Sequence, residues 1–136
     1  MTCSELESGL PVDIADDEDI ARFLTSSSHF NSTMVKPAAY LPNKNGETSV
    51  SRHGSTPEDT LWVLGRDAAT NRTLHGAAIV TAKVVRAAGL TVTAAEPPAR
   101  HAEILGWPTD PDPDETRARR KEMAVLIASE AILVLR

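Results

Sequence analysis

Residues 36–65, KPAAYLPNKNGETSVSRHGSTPEDTLWVLG, read as a strand, a turn, a second strand and a helix. Pro37 biases Lys36 toward extended geometry, so 38–41 is expected to open as a strand. Asn43-Lys44-Asn45-Gly46 supplies a turn, because asparagine and glycine tolerate positive φ. Across 47–53, alternation puts Thr48, Val50 and Arg52 on one face and Ser49, Ser51 and His53 on the other. Thr56 then takes a cap position, Pro57 the first helical position, and Asp59 stands three residues after the cap. Proline suits that position because its missing N–H would have been unpaired anyway. Leu61 and Leu64 share a face, and Gly65 is a natural stop.

Upstream, 16–25 reads as a short helix. Asp16 or Asp17 caps it, and Ile20, Phe23 and Leu24 fall at helical spacing. Ser26-Ser27-Ser28 ends it, since serines compete for the backbone. Residues 1–15 lack periodicity and are expected to form a flexible acidic arm ahead of a single domain over 16–136. The first 30 residues hold seven acids and one base, Arg22, within an overall net charge of −5.

Downstream, Ala77, Val80, Thr81, Val84, Val85 and Ala88 follow the helical template, with Gly89 as the stop. The competing reading makes 74–80 a strand, because Gly76 weakens a helix start and Ile79 and Val80 are branched. Residues 90–95 alternate as a strand, Pro97-Pro98 breaks it, and 100–105 forms another short strand. Asp114 or Glu115 opens the longest helix, which runs to about residue 133. From Met123 onward its only polar residues are Ser129, Glu130 and Arg136, so it packs on the sheet or on a partner. The expected fold is α+β: a small, mostly antiparallel sheet from 38–41, 47–53, 90–95 and 100–105. Three to four helices cover one face, and the long C-terminal helix packs on it.

Length and composition bound the function. At 136 residues and 41% hydrophobic content, the chain has the size and make-up of one globular domain. Cys3 is the single cysteine, so no internal disulfide forms and a reducing, cytoplasmic setting is expected. The acidic start lacks the charged and apolar segments of a secretory signal, and no stretch is apolar enough to span a bilayer.

The chemistry-bearing residues gather at a few places. Arg52-His53-Gly54-Ser55 lies where a strand meets a helix start, a place whose free amides favour anions. His53 and Arg52 are candidate catalytic residues there, with Ser55, Thr56 and Arg100 as further anion donors. The Arg-His-Gly triplet superficially resembles the opening of the histidine phosphatases. That fold sets the triplet near its first strand, on a larger sheet with further arginines and a second histidine. His101 and Glu103, two apart on a strand, share a side; a histidine oriented by a carboxylate is a usable general base. Asp110, Asp112 and Asp114 alternate like a calcium loop, but Glu115 and Lys121 stand where that loop needs glycine and glutamate. With no local histidine pair and one cysteine, no metal or cofactor is expected. Arg117, Arg119, Arg120 and Lys121 form a basic group for contact with a partner.

Three function classes follow. The leading one is a non-catalytic binding or adaptor module acting through a protein partner or self-association. The second is a metal-independent phosphoester hydrolase or transferase using His53 and Arg52 with His101 and Glu103. The third is weak nucleic-acid binding through Lys44, Arg52, Arg66, Arg72, Arg100 and the Arg117 group, which the net charge disfavours.

Overall fold

The sheet is organised around a strand that the helical spacing of 16–25 conceals. In the computed structural model, which describes residues 8–53, 57–69 and 71–136, Asp19–Leu24 forms strand β1 at the centre of a six-stranded sheet. Ile20 and Leu24 enter one core cluster, while Ala21 and Phe23 enter another on the opposite face. A central strand covered on both sides shows no polar alternation, and its apolar run mimics the i, i+3, i+4 pattern of a helix.

Residues 38–41 are not a strand. Pro37–Ala39 makes a single 3₁₀ turn with proline at its start, and Tyr40 N–H closes it onto the Pro37 carbonyl at 3.0 Å. Tyr40 is fully buried, and its carbonyl accepts from Thr48 Oγ1 at 2.8 Å. Its hydroxyl has no partner among the described residues, and burial pushes the phenol above its ordinary range, with Arg22 opposing. Tyr40→Phe removes an orphaned buried hydroxyl while keeping the ring. It should raise stability by about 1 kcal/mol in urea unfolding.

The remaining elements are β2 (Thr48–Arg52), α1 (Glu58–Ala69), β3 (Gly76–Thr81), α2 (Ala82–Ala87), β4 (Thr91–Ala94), β5 (His101–Leu105), α3 (Pro113–Glu130) and β6 (Ile132–Leu135). The strands run in the order β4-β5-β2-β1-β3-β6, each antiparallel to its neighbours. Together with three helices among the described residues this is an α+β fold, with two more strands there than the sequence leads one to expect. The helix expected over 77–88 divides into β3 and α2, so the competing strand assignment for 74–80 is the closer one. Branched Ile79 and Val80 favour the extended form, and β3 is buried almost throughout. The last helix stops at Glu130, where Ala131 turns extended, and residues 132–135 cross onto β3 as β6. Gly65 does not stop α1. It lies inside the helix, where an added Cβ would stand 2.8 Å from Leu74 and 2.9 Å from the Phe23 ring. There the glycine permits close helix–sheet approach.

Helices cover both faces. On one, α2 (Ala82, Val85) and α3 (Ala124, Ile127) join Ile20, Val50 and Ile104 in the main core. On the other, Leu61 and Ala69 of α1 cover Ala21, Phe23, Ala77 and Ile79. That helix leaves the β2-β5-β4 half of its face polar, with exposed Ser49, Thr91 and Thr93. Thr48, Val50 and Arg52 do share the buried side of β2. At its start, α3 is capped by Asp112, whose Oδ1 accepts from Asp114 N–H at 3.0 Å, with Pro113 as first residue. Among the described residues no helix is long and apolar enough to cross a membrane.

Residues 8–15 are tied to the domain. Ile14 joins the main core, and the Pro11 carbonyl accepts from Arg52. Ser8 bonds Glu96 through N–H at 2.9 Å and Oγ at 2.5 Å. Burial alone would raise the Glu96 pKa. The bonds from Ser8 and from Arg100 N–H, with the charge of Arg52, outweigh it and hold the carboxyl below its ordinary value.

Candidate functional site

Arg52 ends β2 on the side that faces the main core, so its guanidinium is carried inward. Its Nε and Nη2 donate to both oxygens of Glu18 at 2.6 and 2.7 Å, and Nη1 donates to the Pro11 carbonyl at 2.6 Å. Every guanidinium nitrogen is occupied, and the residue is fully buried. This bidentate geometry makes a strong charge-assisted contact. It fastens the segment before β1 to the end of β2.

Arg100 stands beside the same strand end. Its backbone adopts φ 69°, its carbonyl accepts from Arg52 N–H at 2.7 Å, and its Nη1 donates to the Arg52 carbonyl at 3.1 Å. The more distant His53 carbonyl, at 3.4 Å, takes the same nitrogen. Arg52, His53 and Arg100 are thus brought together, mainly through backbone. His53 N–H donates to the Asp19 carbonyl, and its ring Nδ1 is buried without a partner among the described residues. Ser55 and Thr56, with the expected helix cap, lie outside the described residues.

His101 and Glu103 share one side of β5, with Nε2 and Oε1 3.6 Å apart, and both side chains are partly exposed. The register sets His101 opposite Ser51 and Glu103 opposite Ser49. The four basic residues of α3 divide. Arg117 pairs with Asp114 one turn back, and Arg120 Nε donates to the Pro108 carbonyl at 2.8 Å. Arg119 and Lys121 are exposed. Leu41, Pro42 and Ala118, with Arg117, Arg120 and Lys121, line a shallow hollow of about 480 Å³. Among the described residues, no three His, Cys, Asp or Glu side chains gather so as to hold a metal ion.

The sheet also contains a cleft that the sequence reading missed. The β1–β2 ladder holds only at Ile20↔Arg52 and Ala21↔Ser51, and beyond that the strands part. Because Arg52 N–H pairs toward the β5 side, antiparallel alternation turns the Ser49 backbone toward β1. The Ser49 carbonyl, left without a strand partner, accepts from Arg22 Nη1 at 2.9 Å. Arg22 Nε donates to the Ala39 carbonyl at 2.7 Å. A cavity of about 400 Å³ opens beside this gap, lined among others by Arg22, Phe23, Ser49, Ser51, Arg72 and His101. The sequence held one signal for it: Arg22 is the single base of the first 30 residues and interrupts an apolar run. Compared with protein-family models, curated proteins and solved structures, the chain matches none.

Proposed function

We propose that the protein is a non-catalytic binding module that self-associates by continuing its sheet through β6. The observation that carries this reading is the outer edge of β6. Arg136 N–H donates to the His75 carbonyl, so alternation directs the backbone of Ile132 and Val134 toward β3 and that of Leu133 and Leu135 outward. Edge strands of monomers are normally blunted by charge, proline or a bulge. Ile132–Leu135 holds only apolar residues, with Ile132 66% and Leu135 49% exposed. Val125 and Leu126 on α3 add exposed apolar surface to the C-terminal part of the chain. A second copy supplies an identical strand, and antiparallel pairing across a two-fold satisfies both edges at once.

Light scattering after size exclusion should give a dimer mass at micromolar concentration. Ile132→Lys, which places a charge on the exposed edge, should give a monomer with unchanged far-UV circular dichroism. A wild-type monomer over the whole concentration range would remove the self-association reading.

A second reading, phosphoester chemistry, is supported by the His101–Glu103 pair, a base with its orienting carboxylate at 3.6 Å. The internal engagement of Arg52 weighs against it, because that guanidinium is fully buried and all three of its nitrogens already donate within the protein. Turnover of p-nitrophenyl phosphate that disappears in His101→Ala would bring it forward.

A further inference from the structure

We propose that the cleft between β1 and β2 binds a small organic oxyanion, a phosphate monoester or a carboxylate. Its charged group would sit on Arg22 and Arg72, and its apolar body against Phe23, Leu41, Pro42 and Ala68. This does not depend on the edge-strand reading, since the cleft and β6 are separate places in the sheet.

The charges carry the inference. Arg22 is half-buried, with Nε and Nη1 held by backbone carbonyls, and Nη2 makes no hydrogen bond among the described residues. Elsewhere Arg52, Arg86 and Arg117 each meet a carboxylate. Neither Arg22 nor Arg72 has one within 4.0 Å among the described residues. Arg72 is exposed, and among the described residues its side chain makes one hydrogen bond, a long 3.4 Å contact from Nε to the Ala69 carbonyl of its own turn. Two guanidinium groups therefore share one cavity without a counter-charge paired to either. Drawing a cation from water, as the half-buried Arg22 is drawn, is unfavourable unless it is paired, and an entering anion supplies that pairing while the exposed Arg72 adds its charge.

Other basic groups stand close by. Burial lowers the Arg22 pKa, Tyr40 opposes it, and the charge of Arg72 lowers it further. Burial likewise lowers that of His29, followed by Arg22, Arg72 and His75.

The cavity has the volume and mixed lining of a small-molecule site, apolar walls with a few convergent polar groups. Among its described lining residues Glu47 is the single carboxylate, and it forms no ion pair with either arginine. Its charge disfavours polyanions and suits a ligand with one anionic group.

The test titrates the full chain with phenyl phosphate, benzoate and inorganic phosphate, followed by calorimetry and by amide shifts of Ser49, Ser51 and His101. The expected result is saturable binding with shifts centred on these residues, tighter for an aromatic anion than for inorganic phosphate. Whichever aromatic anion binds more tightly identifies the head group. Arg72→Gln should weaken binding about tenfold, the value of one charge-assisted contact. Arg72→Lys should retain most of the affinity. Arg119→Gln, which removes the same charge from α3, should stay within about twofold of the wild type. Binding that fails to saturate, shifts scattered over the surface, or equal weakening by Arg119→Gln would overturn the proposal.

Discussion

Arg52→Met should destabilise the protein by about 3 kcal/mol, read as a fall in melting temperature of about 10 °C. The substitution keeps the apolar stem but leaves the Glu18 carboxylate, 16% exposed, without the guanidinium that grips both its oxygens. It also leaves the Pro11 carbonyl without its donor. Removing one partner from a buried pair is far more damaging than removing both, because the remaining charge stays desolvated. Arg52→Met combined with Glu18→Leu should therefore recover most of the loss, a coupling that a double-mutant cycle measures. Hydrogen exchange should show protection lost first over residues 11–18, the segment the side chain ties down. If the single and double variants lose equal stability, Glu18 is not the partner that matters.

Gly76→Ala should act at the opposite end of the sheet, destabilising by about 3 kcal/mol and releasing β6. A Cβ on Gly76 would collide with the Val134 carbonyl oxygen and stand 3.1 Å from Leu135 Cα. Both are backbone atoms, so no rotamer change relieves the overlap, and the strand itself must move. Gly65→Ala makes an instructive contrast. Its new methyl meets side chains of Leu74 and Phe23, which can shift, and alanine is the better helix former by about 1 kcal/mol. Its net cost should be clearly the smaller in parallel urea titrations. Because β6 is also the proposed docking edge, Gly76→Ala should abolish self-association, whereas Gly65→Ala should preserve it.

The parts of the fold legible in the sequence are those where one side of the sheet meets water. In β2, Thr48 and Val50 point inward while Ser49 is exposed, and in β4 buried Val92 sits between exposed Thr91 and Thr93. That contrast is the period-2 signal. β1 and β3 have cores on both sides, so their apolar residues carry no period and read as helix. β6 follows α3 directly, and only the extended backbone at Ala131 separates them. The site was legible in proportion to its local character. His101 and Glu103 are two residues apart on a strand, so their shared side follows from spacing. Glu18 lies 34 residues from Arg52, and no local pattern reveals that pairing. The cleft depends on where two strands stop pairing, a property of the assembled sheet.

The strand order has a kinetic consequence. Of the five ladders, only β4 and β5 are joined by a short connection, residues 95–100. The central strand must find β3 across the intervening β2 and α1, and β6 must return across two helices and two strands. Such pairings form only after large loop-closure entropies have been met, and this high contact order places folding in the millisecond-to-second regime. Until β6 docks, the six residues of β3 form the sheet edge in place of the four of β6, so β6 docking shortens the strand edge left open on that side.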